Sequence, residues 1–262
     1  MKVILPSNGL LGTKWVDMRE PNFGDLRGTI SSTADDYLFK LEFVSKLAEF
    51  DFNKVTMDDV EYMYDIAAAA VAFNTLKYSI TCPKCGKQIT DEFVFGTDDI
   101  PIVTLNKKSG KCKKTVGGVD YCYHILSASD GQDIHTYALD DDEHDKMVED
   151  ATVCKVLGKD ITDDNIEWVS TIPVSIYVSC FLFIKANRHG MVLRKDTKCN
   201  CGEILSVHLT LDSSWVKTDI PSFIAQYAQI RDFLDFNSFL TFTVPEFKNF
   251  VDYLNAEARN NE

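Results

Sequence analysis

The sequence predicts an α+β protein, a mixed helical and β body interrupted by a long insertion. Three observations predict it. Segments with apolar residues at helical spacing, each led by a capping residue, stand near both ends of the chain. Short runs of alternating apolar and polar residues, bounded by Gly, Pro and Asn, lie between them. Two close cysteine pairs, Cys82 with Cys85 and Cys199 with Cys201, each sit at such a turn.

The elements follow in order. "KVILPSNGLLGTKWVDMREP" alternates around Asn8, Gly9 and Gly12 and reads as two short strands joined by a turn. In "STADDYLFKLEFVSKLAEF" Thr33 is the expected N-cap, with Asp36 three positions on. Tyr37, Leu41, Val44 and Ala48 form one helical stripe, with Leu38 and Leu47 beside it. "TMDDVEYMYDIAAAAVAFNTL" repeats the device, Thr56 and Asp59 preceding a helix over residues 60–73. The alanines at 67–70 remove side-chain bulk and let another backbone approach closely. "LKYSITCP", a turn, "KQITDEFVFG" and "PIVTLNKK" then read as strands, which places Cys82 and Cys85 at a hairpin tip.

From about residue 105 to 135 the pattern weakens, and the Lys- and Gly-rich "KKSGKCKKTVGGVD" reads as an exposed β excursion or arm. "ALDDDEHDKMVEDATVCKVLG" reads as a helix with its acids massed in the first turn, where the helix dipole favours negative charge. Thr162 is a candidate N-cap leading toward the apolar residues 172–184, for which helix and buried strand fit equally. Residues 204–211 alternate like a strand. Two helices close the chain, the first after Asp219 and Pro221. In the last, Thr243 caps, Pro245 enters the first turn, Glu246 completes a capping box, and Phe247, Phe250, Val251 and Leu254 share a face. The expected organisation is an α/β core of residues 1–100 and 199–262, with residues 101–198 inserted as a β arm plus helices.

The 262 residues, 45% hydrophobic and 11% aromatic, can bury a sizeable core without disulfide staples. Lys and Arg number 27 against 40 Asp and Glu, a net charge of −13 with a pI near 4.8, so the mean surface potential repels phosphate backbones. Nucleic acid is therefore not an expected partner. The apolar run of "MKVILPSNG" stops at Pro6, far short of a signal-peptide core, and the expected setting is a cytosol that keeps thiols reduced. Residues 172–184 fall short of the roughly 20 apolar residues of a spanning helix, so no membrane association is expected.

The cysteine pairs carry the one strong chemical signal. "CPKCG" and "CNCG" both place Gly, at 86 and 202, directly after the second Cys, and a strand-like run follows each. Gly there admits a positive φ that aims backbone N–H groups at the sulfurs. A structural zinc takes four thiolates in a tetrahedron, commonly as two close pairs from two hairpin tips. The expectation is one structural zinc held by Cys82, Cys85, Cys199 and Cys201 as the two knuckles of a zinc-ribbon-like element. Other readings are four metal-free reduced thiols, or mixed sets drawing on Cys112, Cys122, His189 or His208. Cys154 and Cys180 lie on apolar segments and read as core residues.

Other chemistry is weaker. The run Asp140, Asp141, Asp142, Glu143, His144, Asp145 reads first as a solvated helix start rather than a divalent-ion site. His124, His135 and His189 stand apart from any nucleophile and read as surface or packing residues. No P-loop, dinucleotide glycine motif, nucleophile elbow or H-E-x-x-H occurs, so a non-enzymatic role is expected. The lysines of "NKKSGKCKKT" read as a solvated hairpin or a docking arm for an acidic protein.

"LPSNGLLGTKWVDMREPNFGDLR", then "TADDYLFKLEFV", then "TMDDVEYMYDIAAAAVAFNTLKYSITCPKCGKQI" resemble, in that order, T4-type myophage baseplate proteins of the hub group. The resemblance covers about residues 1–100, and the insertion departs from the family pattern. It implies a structural component of a contractile phage tail, in the virion baseplate and, during assembly, in the host cytoplasm. Its implied partners are other baseplate, hub and tail proteins in a symmetric multi-copy assembly. Two alternatives stand beside it: a hub assembly chaperone absent from the mature virion, and a zinc-ribbon nucleic-acid-binding regulator.

Overall fold

Side chains that cap helices, and turns that close hairpins, set the element boundaries. The computed structural model describes residues 1–29, 35–72, 75–95, 100–105, 111–139, 143–216, 225–230 and 233–260. The elements are β1 (Lys2–Ile4), β2 (Trp15–Asp17), α1 (Phe23–Gly28), α2 (Asp36–Leu47), α3 (Met57–Val71), β3 (Thr75–Thr81), β4 (Gln88–Val94) and β5 (Ile102–Val103). They continue with β6 (Lys111–Val116), β7 (Val119–His124), α4 (Ala128–Ala138), α5 (His144–Val156), α6 (Asp163–Val169) and α7 (Val174–Ala186). The last are β8 (Gly190–Met191), β9 (Leu193–Lys198), β10 (Ile204–Leu209), α8 (Phe236–Thr241) and α9 (Val244–Asn260). Helices and antiparallel hairpins are thus mixed along the chain, an α+β composition.

The chain forms two compact units: residues 1–18, 33–63 and 102–190, and residues 19–32, 64–101 and 191–262. The first therefore takes in, with most of the insertion, segments that the sequence reading placed in the core.

In the first unit, β1 and β2 pair antiparallel across a turn with Asn8 and Gly9 at positive φ, as expected. Asp35 caps α2 and accepts the Leu38 N–H at 2.8 Å, while Thr33 lies outside the described residues. Phe39 and Phe43 of α2 are buried together with the expected Tyr37, Leu41, Val44 and Leu47. Thr56 and Asp59 start α3 reciprocally, as expected: Thr56 Oγ1 accepts the Asp59 N–H at 3.1 Å, and the Asp59 carboxylate accepts the Thr56 N–H at 3.2 Å.

Three readings are corrected or decided here. Residues 128–138, read as part of a β excursion, form helix α4, started by a Ser127/Asp130 capping box. Apolar residues are sparse in α4 and Gly131 interrupts it, so periodicity was weak; packing of its buried Ile134 and Ala138 supplies what propensity does not. The β6–β7 hairpin is not a free arm: Lys114 Nζ donates to the Ser175 carbonyl at 3.1 Å and to Ser179 Oγ at 2.8 Å, and Tyr123 stacks on Phe183. Residues 174–186 are helical, and α7 buries Ile176, Cys180 and Phe183 in a core shared with Ile134, Cys154 and Val169.

In the second unit, an Asn22/Asp25 capping box starts α1, and Arg19 grips both oxygens of Asp25 at 2.6 and 2.7 Å. Phe23 stacks on Phe239 of α8 and meets Phe247 of α9 edge-on. Thr243 and Glu246 cap α9 reciprocally, at 2.8 and 3.4 Å. The helix expected after Asp219 and Pro221 begins outside the described residues. Short helices α1 and α8 went unread because six residues carry too little periodicity.

Two features of the first unit are testable. A Cβ on Gly131 would lie 2.6 Å from the buried Tyr37 ring. Gly131→Ala, although it raises helix propensity, is expected to destabilise by about 1–3 kcal/mol in urea unfolding, because overpacking outweighs propensity. Buried His189 meets Thr56 Oγ1 through Nε2 at 2.7 Å and the Asn187 carbonyl through Nδ1 at 2.9 Å, with Asp58 Oδ2 3.2 Å from Nδ1. Burial opposes its charged form, but the hydrogen bond and charge of Asp58, the Asn187 carbonyl and the charge of Asp59 outweigh burial and raise its pKa. A raised pKa stabilises the fold below the unfolded value, near 6.5, and that stabilisation is lost as pH rises through the folded value. The stability gap between wild type and His189→Gln should be widest at about pH 5–6.5 and narrow above it, read from urea midpoints across pH.

Candidate metal centre

Two hairpins build the centre. β3 and β4 pair in register from Thr75 opposite Val94 to Thr81 opposite Gln88, and β9 and β10 from Leu193 opposite Leu209 to Lys198 opposite Ile204. Each turn closes at its first cysteine: the Cys82 N–H donates to the Lys87 carbonyl at 2.9 Å and the Cys199 N–H to the Glu203 carbonyl at 2.8 Å. Gly86 and Gly202 take φ of 70° and 91°, the left-handed conformation expected of a glycine after each second cysteine.

The hairpins share no strand ladder; each is its own two-stranded sheet. Side chains join them. The Tyr78 and Thr197 hydroxyls lie 2.7 Å apart and both donate to Asp91 Oδ2, at 3.2 and 2.8 Å. Lys195 Nζ donates to the Glu92 carbonyl at 2.6 Å. At the tips the four predicted cysteines meet: Cys82 Sγ lies 3.7 Å from Cys201 Sγ, and Cys85 Sγ lies 3.6 Å from Cys199 Sγ.

Those distances identify the arrangement. A disulfide would hold the sulfurs about 2.05 Å apart. Four thiolates about 2.3 Å from a central ion stand about 3.8 Å apart along a tetrahedral edge, close to what the cluster shows. Cys82 and Cys199 are buried, while Cys85 and Cys201 are exposed. Burial opposes ionisation of Cys82, but the Cys85 and Lys84 N–H groups and the neighbouring thiols overcome it and bring its pKa to about 7. At Cys199 the Cys201 N–H favours the anion, yet burial and the three surrounding sulfurs push the pKa up to about 12. Four cysteines can hold a metal ion and fill a tetrahedral sphere.

The other candidates fall elsewhere. Cys112 lies opposite Tyr123, and Cys122 opposite Lys113, so the two cysteines point to opposite faces of their hairpin and do not pair. Cys154 and Cys180 are core residues, and burial raises their thiols to about 11 and 12. His208 is exposed on β10, and His189 belongs to the α3 cap. Of the lysine run, Lys113 pairs with Asp120 and Lys114 with α7. Asp140, Asp141 and Asp142 lie outside the described residues. Sequence reasoning missed a cavity of about 240 Å³ in the first unit, lined among others by Tyr37, Thr56, Glu61, His135 and His189. Among the described residues no single helix is long and apolar enough to cross a membrane.

Comparison with protein-family models, curated proteins and solved structures gives no match.

Metal analysis of the purified wild-type chain is expected to find a tightly held zinc that the four cysteines bind. It should be lost in Cys199→Ser/Cys201→Ser and retained in Cys112→Ser/Cys122→Ser. The first double variant should also open the β9–β10 hairpin to rapid amide exchange, since a two-stranded hairpin is marginal alone.

Proposed function

We propose that this chain is a non-enzymatic structural protein in which one zinc, held by Cys82, Cys85, Cys199 and Cys201 as a zinc-ribbon-like element, makes a rigid base for subunit contacts. The observation that carries the reading is the convergence of four thiols from two hairpins that share no ladder. A fully thiolate-ligated ion has no position left for substrate, so its role is to cross-link. The chain between Cys85 and Cys199, whose positions are 114 apart, then leaves from and returns to one fixed point.

The resemblance of residues 1–100 supports a role for this scaffold in the hub of a contractile phage tail baseplate, in contact with other baseplate and tail proteins. The contact surface fits the segment of 101–198. Val174, Val178 and Leu182 lie four residues apart along α7 and are 77%, 48% and 59% exposed, an apolar stripe opposite the buried Ile176, Cys180 and Phe183. The net charge of −13, and the engagement of Lys113 and Lys114 within the fold, weigh against a nucleic-acid regulator.

The test is incorporation. The chain is expected in purified tails by mass spectrometry. Leu182→Glu, with unchanged melting and zinc content, should lower its incorporation at least about tenfold, the effect of about 1.4 kcal/mol at an interface. Zinc removal should lower incorporation and melting temperature together. A chain absent from finished tails but needed to make them would be an assembly chaperone, and the structural reading would fall.

A further inference from the structure

A second ligand cluster, which includes none of the thiols, lies in the first unit. Asp35 at the start of α2, His135 near the end of α4 and His144 at the start of α5 bring one ligating atom each to within 4.8 Å of one another. Asp35 Oδ2 is 2.9 Å from His135 Nδ1 and 3.4 Å from His144 Nε2. Surrounding groups fix each ligand. Asp35 Oδ1 accepts the Leu38 N–H at 2.8 Å, and the His135 ring stacks on buried Tyr37 with centroids 4.9 Å apart. His144 Nδ1 lies 2.7 Å from the Ala138 carbonyl oxygen.

A carbonyl oxygen can only accept, so His144 Nδ1 carries a hydrogen, and Nε2 is the ring nitrogen turned to Asp35 Oδ2. The spacings suit ligands that share an ion: with bonds of about 2.0–2.1 Å, neighbouring ligand atoms stand about 2.9 Å apart in an octahedron and about 3.4 Å in a tetrahedron. A histidine whose far nitrogen donates to a backbone carbonyl, and a carboxylate whose far oxygen is held by an amide, are the outer supports that orient metal ligands.

We infer that Asp35, His135 and His144 bind a divalent transition-metal ion through Oδ2, Nδ1 and Nε2 respectively. Two imidazoles with one carboxylate favour zinc, cobalt or ferrous iron over magnesium or calcium. Three protein ligands leave at least one coordination position for water or a small anionic ligand, unlike the closed thiolate set. His144 is 36% exposed, which opens the site to solvent, and His135 also lines the 240 Å³ cavity.

Cobalt loading of the full chain, with metal counted by mass spectrometry and absorption recorded, tests this independently of the thiolate centre. Wild type should hold two ions. Cys199→Ser/Cys201→Ser should keep one, without thiolate-to-cobalt charge-transfer absorption. His144→Gln and Asp35→Asn should each weaken the other ion at least about tenfold and leave the charge-transfer band unchanged. Asp35→Asn retains a capping oxygen for Leu38, and an unchanged circular dichroism spectrum would show that α2 is intact. The inference is overturned if no ion remains in the cysteine double variant while its fold persists, or if His144→Gln and Asp35→Asn bind as wild type does; a proton, not a metal, would then lie between His144 and Asp35.

Discussion

The meeting of four sulfurs at two hairpin tips is the constraint on which the second unit's β structure depends. Among the described residues neither hairpin extends into a larger sheet, and a two-stranded hairpin is marginal in water. The apolar support near the tips is small: Cys82, Cys199 and Leu205 are buried, with Ile80 and Ile89 partly so. The Tyr78–Asp91–Thr197 hydroxyl network adds polar registration but little apolar burial. A tetrahedral ion at the tips would supply the missing cross-link and close a long loop, which removes conformational freedom from the unfolded chain.

The same geometry shows what made parts of the molecule legible. The thiol cluster could be read because two close cysteine pairs are rare by chance, and because Gly86 and Gly202 repeat the same backbone requirement. The Thr56/Asp59 and Thr243/Glu246 starts were legible for a similar reason: the bonding is local, so the partners stand three residues apart in sequence. Helix α4 was not legible. Its cap is local too, but its buried face, with Gly131 close against the Tyr37 ring, depends on residues far apart in the chain. The Asp35–His135–His144 cluster was hidden more completely. Its aspartate lies 100 positions from His135, and no short spacing in the sequence links all three residues.

The two clusters differ in the charge they leave behind. A divalent ion held by four thiolates would carry a net double negative charge, in a chain already at −13, so such a site would need local donors to offset it. The Lys84, Cys85 and Cys201 N–H groups aimed at Cys82 and Cys199 supply them, which is the physical use of the glycine turns. An ion ligated by two imidazoles and one carboxylate, as proposed at the Asp35 cluster, would instead keep a net positive charge. It needs no such donors, and the backbone groups beside it serve to orient ligands. An acidic protein can therefore hold a cross-linking ion where amides converge and a more open cation site where a single buried carboxylate meets histidines. The sign of the residual charge would follow from ligand type alone: a metal-loaded thiolate site would repel further anions, whereas a metal-loaded histidine site would accept one.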